Sequence, residues 1–585
     1  MRKTIKGLSA ILMTSVLAVS ASAATVGTMT ALAADPPTYS VTIDSTPKDT
    51  ATHTYKAYQI LAGDVTTTTS PASQIVSNAT KGSNISDLDT FITALKAKSS
   101  FSSCNDLKDV LTVLNGKATD STAAMEFAEV AKAQITGDPA GTGTTSISDL
   151  AGGYYLIVED DSSPLSPTNS AYSRPMLTVV GPADDTAKKD VPSLGKRIGT
   201  TYANGIEANT ASIGDTIPFV LQSAVPDMTG YNKYYFVIND DMCEGLTFDS
   251  TSTVTVKIGD TTLERKTDSP TAPTWFDVQT GDAADGHTLQ IVFNNFIQYA
   301  AQKGDIITVT YSATLNENAD RTVIGNENTV DLTFSNNPNT TYSGGTTEKP
   351  NEPKDNEPVG ETPVSKTKTY TTGIKLVKVD ADTKAALAGA EFEIKGAGVN
   401  SEVKLFASEV FTENASGAYY KLKDGTYTKI APTPATSDKY DSTTTKYSLT
   451  STALTGTADG TGENKTITAK VSADGTLIFE GLGAGTYTIT ETKAPTGGYN
   501  KLTTPINVTI TASDVSLTGI TWNVSPADAT KANGISVLTI ENNKGVTLPG
   551  TGGVGTTIFY IIGGLMISGA LVLLIVKKRM SIKEK

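Results

Sequence analysis

Apolar and polar residues alternate along most of this chain in short runs broken by Gly, Asp and Asn. That period of two predicts half-buried β-strands joined by turns. In a first block such runs cover Tyr39–Ile43, His53–Leu61, Gly152–Val158 and Pro175–Val180, the last within a stretch from Arg174 that would close the block. The pattern continues through a second block, from about Pro192 to Pro338, and a third, from about Tyr370 to Lys544. Apolar residues recur at helical spacing only near Asp87–Lys98, Asn105–Leu114 and Ala123–Ile135, all in the first block. The expected fold is mainly β, with tandem immunoglobulin-like sandwiches and helices added to the first. Residues 344–366, rich in Pro and charge, predict a linker that extends rather than packs.

Two apolar segments interrupt the alternation, one at each end. Leu8–Val19 follows Met1, Arg2, Lys3 and Lys6 and precedes Ala31-Leu32-Ala33, the layout of a signal peptide over 1–33, with Ala21-Ser22-Ala23 as an earlier cut. Near the other end an uncharged run from about Ile558 to Val576 precedes Lys577, Lys578 and Arg579. Roughly 20 apolar residues suffice for a helix to cross a hydrocarbon core of roughly 30 Å, and the basic tail holds the far end in the cytoplasm. Just ahead stands Leu548-Pro549-Gly550-Thr551-Gly552. Pentapeptide, span and basic tail in this order resemble the LPxTG cell-wall sorting signal read by sortases. Sortases attack the Thr carbonyl with a thiolate and hand the acyl group to an amine. The resemblance implies that Thr551 becomes the C-terminus and acyl donor, and that the span is only a temporary anchor.

The expected organisation is therefore 1–33 signal peptide, 35–187 N-terminal domain, 188–343 middle domain, 344–366 linker, 367–545 third domain and 546–585 sorting signal. The net charge of −14 disfavours nucleic acid and anionic membranes, which would repel the chain. Two cysteines, Cys104 and Cys243, fall in different blocks and give no disulfide framework. Two histidines, His53 and His287, also in different blocks, make a His-based metal site improbable. Asp277, Asp282 and Asp285 share a Gly-containing loop whose spacing is not that of an EF-hand, so no metal is expected. Neither a P-loop nor Gly-x-Ser-x-Gly is present, and two Trp are few for a glycosidase cleft, so no cofactor and no enzymatic activity are expected.

In the third block, Gly373–Asp380 with Leu387–Phe392 resembles the opening of a Cna B-type domain. Tyr487–Tyr499 resembles that family's E-box, with the usual single Gly before the closing Tyr doubled, and Ile535–Gly545 its closing strand. The resemblance implies an intramolecular isopeptide bond between Lys378 and Asn542, promoted by Glu491. Physical chemistry makes that trio reasonable. An exposed lysine, with a pKa of about 10.4, is protonated and not nucleophilic, but burial lowers its pKa and raises that of a carboxyl. A neutral amine can attack the Asn carbonyl while the acid polarises it and shuttles protons, and ammonia leaves. This happens once, during maturation.

Asp190–Ile198, Ile213–Phe219, Val225–Met228, Tyr235–Asp240 with Gly245–Phe248, and Asn326–Pro338 resemble the middle domain of sortase-assembled pilus backbone subunits. By position Lys196 would be the amine, Asp240 the carboxyl and Asn328 the amide. Asn326 shares the strand face of Asn328 and stays an alternative. His53–Leu61 and Gly153–Glu159 resemble the N-terminal domain of the same pilins, and Tyr155, Ile157 and Glu159 repeat the E-box spacing. Arg174–Val180 holds no Asn, so no bond is expected there despite Lys56. Many such pilins supply the subunit-linking lysine from a Tyr-Pro-Lys motif, which is absent here. Ala187-Lys188-Lys189-Asp190 occupies the same boundary, a polar stretch where a lysine can stay solvated, which favours Lys188 with Lys189 close behind.

The resemblance as a whole implies a major backbone subunit of a Gram-positive cell-surface pilus, secreted and wall-anchored, supporting adhesion and colonisation. Its implied partners are a sortase, other copies of itself, minor pilins, peptidoglycan and a host surface ligand. A minor or basal pilin and a monomeric wall-anchored adhesin are the alternatives.

Overall fold

The computed structural model describes residues 37–582 apart from 45–48, 70–71, 181–182, 251–252, 267–274, 285, 345–353, 355, 397, 461–464 and 547–553. The signal peptide, the pentapeptide Leu548–Gly552 and Asp285 lie outside the described residues.

In the first block a sheet ordered Ser146–Ala151, Thr38–Asp44, Ala183–Thr186 faces a second ordered Ala72–Lys81, Tyr55–Thr69, Gly153–Glu159, Met176–Val179. Val41, Ile43, Tyr55, Ala57, Tyr155 and Ile157 fill the space between them. The outer face of the second sheet carries Ile60, Leu61, Leu156 and Leu177, and helices α1 (Leu88–Lys96), α2 (Leu107–Leu114) and α3 (Thr122–Gln134) cover it. Each helix starts where a short polar side chain accepts a hydrogen bond from the first turn: Asp87 from Thr90, Asp106 from Asp109, and Ser121 from Ala124. Arg174–Val180 does not close this block. A further strand, Ala183–Thr186, lies parallel to the first, with Asp44 opposite Thr186, and leads straight into Lys188 and Lys189. Its sequence, Ala-Asp-Asp-Thr, has no apolar alternation that would reveal it.

The second block is a sandwich around one large core that includes Phe219, Phe236, Ile238, Phe293, Val309 and Leu332. One sheet holds Gly195–Ile198 beside Thr216–Ala224, and the other pairs Phe236–Met242 with Asn326–Ser335. Part of the expected linker belongs to this sheet: Val359–Glu361 and Ser365–Tyr370 both pair with Asn326–Ser335. Ser-Lys-Thr-Lys-Thr-Tyr does alternate, but with Lys at every second position in place of an apolar residue it reads as a charged tether. Lys368 is itself buried, with Nζ donating to the Ile324 carbonyl at 2.9 Å.

The third block is built from two six-stranded sheets and a small hairpin. Its first strand, Thr372–Asp380, runs parallel to its last, Ile535–Asn542, and Glu391–Gly396 pairs with Gly485–Lys493 in the opposing sheet. Arg321 of the second block ties the two together through Glu409 and Glu480, at 2.7 and 2.8 Å. At the C-terminal end Val554–Ile582 is one helix, of which Gly555–Ser581 is long and apolar enough to cross a membrane.

Candidate cross-linking and anchoring sites

Polar residues stand at core positions in the second and third blocks. On the first strand of the third block the inward face reads Ile374, Leu376, Lys378; on the last it reads Leu538, Ile540, Asn542; on the facing strand it reads Tyr487, Ile489, Glu491. Period-two alternation thus delivers an amine, an amide and a carboxyl to one end of the core, each at most 2 % exposed. The Asn542 amide nitrogen donates to both Glu491 oxygens at 2.9 and 3.0 Å, and the Leu502 N–H holds Glu491 from behind at 2.6 Å. Lys378 Nζ donates to the carbonyls of Ile540 and Val379 at 2.9 and 3.3 Å. Burial pushes its pKa down to about 8, against the attraction of Glu491. The Asn542 carbonyl oxygen is buried without a partner. A trio present only for packing would not leave that oxygen orphaned.

The second block assembles the same groups across its two sheets. Lys196 comes from the edge strand of one, and Asp240 and Asn328 from neighbouring strands of the other. Lys196 Nζ donates to Asp240 Oδ2 at 2.8 Å, to the Thr329 carbonyl at 3.0 Å and to the Asn328 carbonyl oxygen. Tyr311 completes the site: its hydroxyl donates to Asp240 at 2.5 Å and accepts from the Asn328 amide at 3.1 Å. With Phe219 it also walls in the amine, the ring centroids lying 5.7 and 5.4 Å from Nζ. Burial pushes Lys196 down and Asp240 up, toward the neutral amine and neutral acid. Asn326 does not join them. Its side chain accepts from the Asp320 N–H and donates to the carbonyls of Asp320 and Thr369, bracing the turn before the strand. Sequence reasoning did not single out Tyr311, whose strand Ile306–Leu315 alternates like any other.

In the first block Lys56 lies at the surface, paired with Asp160 at 2.8 Å. The two boundary lysines part company. Lys188 is half-buried, its Nζ donating to the Thr119 hydroxyl at 2.5 Å, and its backbone is clamped by the Ser173 hydroxyl and the Arg174 N–H. The Lys189 side chain has no solvent exposure and pairs with Asp49 at 2.9 Å. The expectation of a solvated, accessible amine therefore does not hold for Lys189, because successive side chains of an extended segment point to opposite faces. Both cysteines are free. Among the described residues no group of three or more His, Cys, Asp and Glu is placed to hold a metal.

Comparison with known proteins agrees with this architecture. Residues 213–338 match the Cna-B-like domain of Gram-positive pilin backbone subunit 2, residues 433–523 a prealbumin-like fold domain, and residues 540–581 the LPXTG cell wall anchor motif. The trypsin-resistant surface T6 protein of Streptococcus pyogenes serotype M6 is 26 % identical over 403 residues, 67 % of this chain and 70 % of that protein. The solved T6 backbone pilin of that serotype covers 88 % of this chain and 100 % of its own at 16 % identity, with a TM-score of 0.47. The major pilin SpaD of Corynebacterium diphtheriae covers 87 % and 98 % at 16 % identity, with a TM-score of 0.42. Tandem β-sandwiches ahead of a wall-anchor motif define a wall-anchored surface protein. Within that class, the matched pilin-backbone domain and the wall-anchor motif make the chain similar to the family of Gram-positive pilus backbone subunits. Anchoring to the wall and polymerisation with other pilin subunits go with that family.

Proposed function

We propose that this backbone subunit carries internal Lys378–Asn542 and Lys196–Asn328 isopeptide bonds and is joined to the next copy by a bond from the Thr551 carbonyl to Lys188. In each sandwich the neutral lysine attacks the Asn carbonyl carbon and the amide nitrogen leaves as ammonia. Glu491, which accepts from the Asn542 amide nitrogen, and Asp240, which accepts from Lys196, relay the protons. The observation that carries this reading is that both lysines stand at core positions, against a carboxyl and an amide brought from other strands. An ordinary buried ion pair is a poor explanation, because replacing such pairs by apolar residues is often neutral or stabilising.

A sortase is the partner that cleaves between Thr551 and Gly552 and transfers the acyl group, first to Lys188 of another copy and finally to peptidoglycan. Minor pilins and a host surface ligand act at the level of the fibre. The chain's role is structural, not enzymatic. Intact-mass measurement of the mature chain tests the internal bonds. It should be lighter than its sequence by one ammonia for each, and an unshifted mass would rule out both.

A further inference from the structure

We infer that Tyr499 is a positioning residue for the Lys378–Asn542 bond, closing the loop behind Glu491 across the ends of both reacting strands. The inference rests on the reading that this bond forms. Both reacting groups stand at the far ends of their parallel strands: Asn542 is the last residue of one, and opposite it lies Asp380, the last residue of the other, two past Lys378. Strand ends are where pairing frays. The Ala381 N–H adds a rung there, donating to the Asn542 carbonyl at 3.0 Å.

The loop that follows the Glu491 strand, Gly485–Lys493, crosses this end and grips all three parts. The Leu502 N–H holds Glu491 at 2.6 Å. Tyr499 pairs antiparallel with Lys544, two residues past Asn542; beside it the Asn500 N–H donates to the Asn543 carbonyl at 3.0 Å and the Gly545 N–H to the Gly498 carbonyl at 2.8 Å. The Tyr499 side chain reaches the other strand, its hydroxyl donating to Asp380 Oδ2 at 2.8 Å. One residue thus joins the strand of the amine and the strand of the amide to the loop that holds the carboxyl.

Asp380 is built to receive it. Its Oδ1 accepts from the Asp382 N–H at 3.0 Å, the Thr383 N–H at 2.8 Å and the Thr383 hydroxyl at 3.0 Å, and its Oδ2 faces Tyr499. The Thr383 N–H and the Tyr499 hydroxyl hold this carboxyl down to about 2, and the carboxylate raises the Tyr499 hydroxyl in turn, so the pair keeps its donor and acceptor. The doubled glycine has its use here: Gly497 and Gly498 take φ of 102° and 83°, the left-handed region that suits glycine, and bring the loop round onto residues 543–545. Lys378 Nζ rests on the Ile540 and Val379 carbonyls and the Asn542 amide on Glu491, so attack depends on the two strand ends staying in register. A misplacement of about 1 Å at a reacting centre can cost roughly 100-fold in rate.

The rate of bond formation in freshly made chain decides the matter. The mature chain is produced by cell-free translation, and peptide mapping at timed intervals follows the branched Lys378–Asn542 peptide, with the Lys196–Asn328 peptide of the same molecules as the clock for folding. Tyr499→Phe removes only the hydroxyl. It should slow the third block's branch by about tenfold or more relative to the second block's, and Asp380→Asn, whose amide still bonds the hydroxyl, should keep the parent rate. Melting of Tyr499→Phe in an Asn542→Ala background, where the bond cannot form, measures its effect on stability separately. A Tyr499→Phe chain that loses stability there but closes the bond at the parent rate would overturn the inference, as would equal slowing of both branches. If the parent chain never forms the third block's branch, the Lys378–Asn542 reading fails and this inference with it.

Discussion

Lys196 reaches the side-chain carbonyl of Asn328 and leaves Asn326, two residues earlier on the same strand face, to the backbone of Asp320 and Thr369. The two asparagines should respond oppositely to removal. Asn328→Ala restores one ammonia to the intact mass, because the acyl partner is gone. Asn326→Ala leaves the mass loss unchanged and lowers stability by about 1–3 kcal/mol, the usual effect of leaving buried backbone groups unpaired. Mass spectrometry with thermal melts of both variants checks the pair, and an exchange of these outcomes would reassign the bond.

Glu491→Ala should likewise restore one ammonia, since Asn542 then has no group to polarise it. The melting temperature should fall as well. Loss of a cross-link frees the unfolded chain much as disulfide removal does, typically by about 2–4 kcal/mol. Asp240→Ala should have the same effect in the second block, and Tyr311→Phe, which takes the hydroxyl from both Asp240 and Asn328, should slow bond formation during refolding.

The third prediction concerns pH. In a variant that cannot close the third block's bond, Asn542→Ala, Lys378 stays an ordinary titrating amine with a folded pKa of about 8 against 10.5 unfolded. Between these values the unfolded chain binds more protons than the folded one, so stability rises with pH. Below about 8 the buried ammonium destabilises the fold, by an amount on the order of 3 kcal/mol for a shift of this size. Denaturant titrations from neutral to alkaline pH should show that rise in Asn542→Ala and not in the cross-linked parent.

Much of this was legible because each site residue interrupts a pattern. Lys378, Asn542 and Glu491 each occupy the next inward position after two apolar ones, which a reader of alternation can see without a structure. The three helices showed through their apolar spacing. What stayed hidden lacked a pattern of its own. Ala183–Thr186 has no apolar alternation, and Ser365–Tyr370 carries lysines that mark it as tether although it is a sheet strand. The choice between Asn326 and Asn328 was closed to sequence, because period two puts both on one face and only tertiary contacts separate them. So was the separation of Lys188 from Lys189. It depends on a pocket assembled from Asp49, His53 and Glu159, more than a hundred residues apart in the chain at its extremes.

The most direct test of the account is electrophoresis of cell-wall extracts after boiling in detergent. The unsubstituted chain should give a ladder of covalent multimers, and Lys188→Ala should collapse it to wall-attached monomer that still carries the internal bonds, because the Thr551 donor is intact and only the acceptor amine is gone. A ladder that persists in Lys188→Ala would contradict the assignment of the linking lysine, and an unsubstituted chain that yields only monomer would contradict the covalent head-to-tail polymer itself.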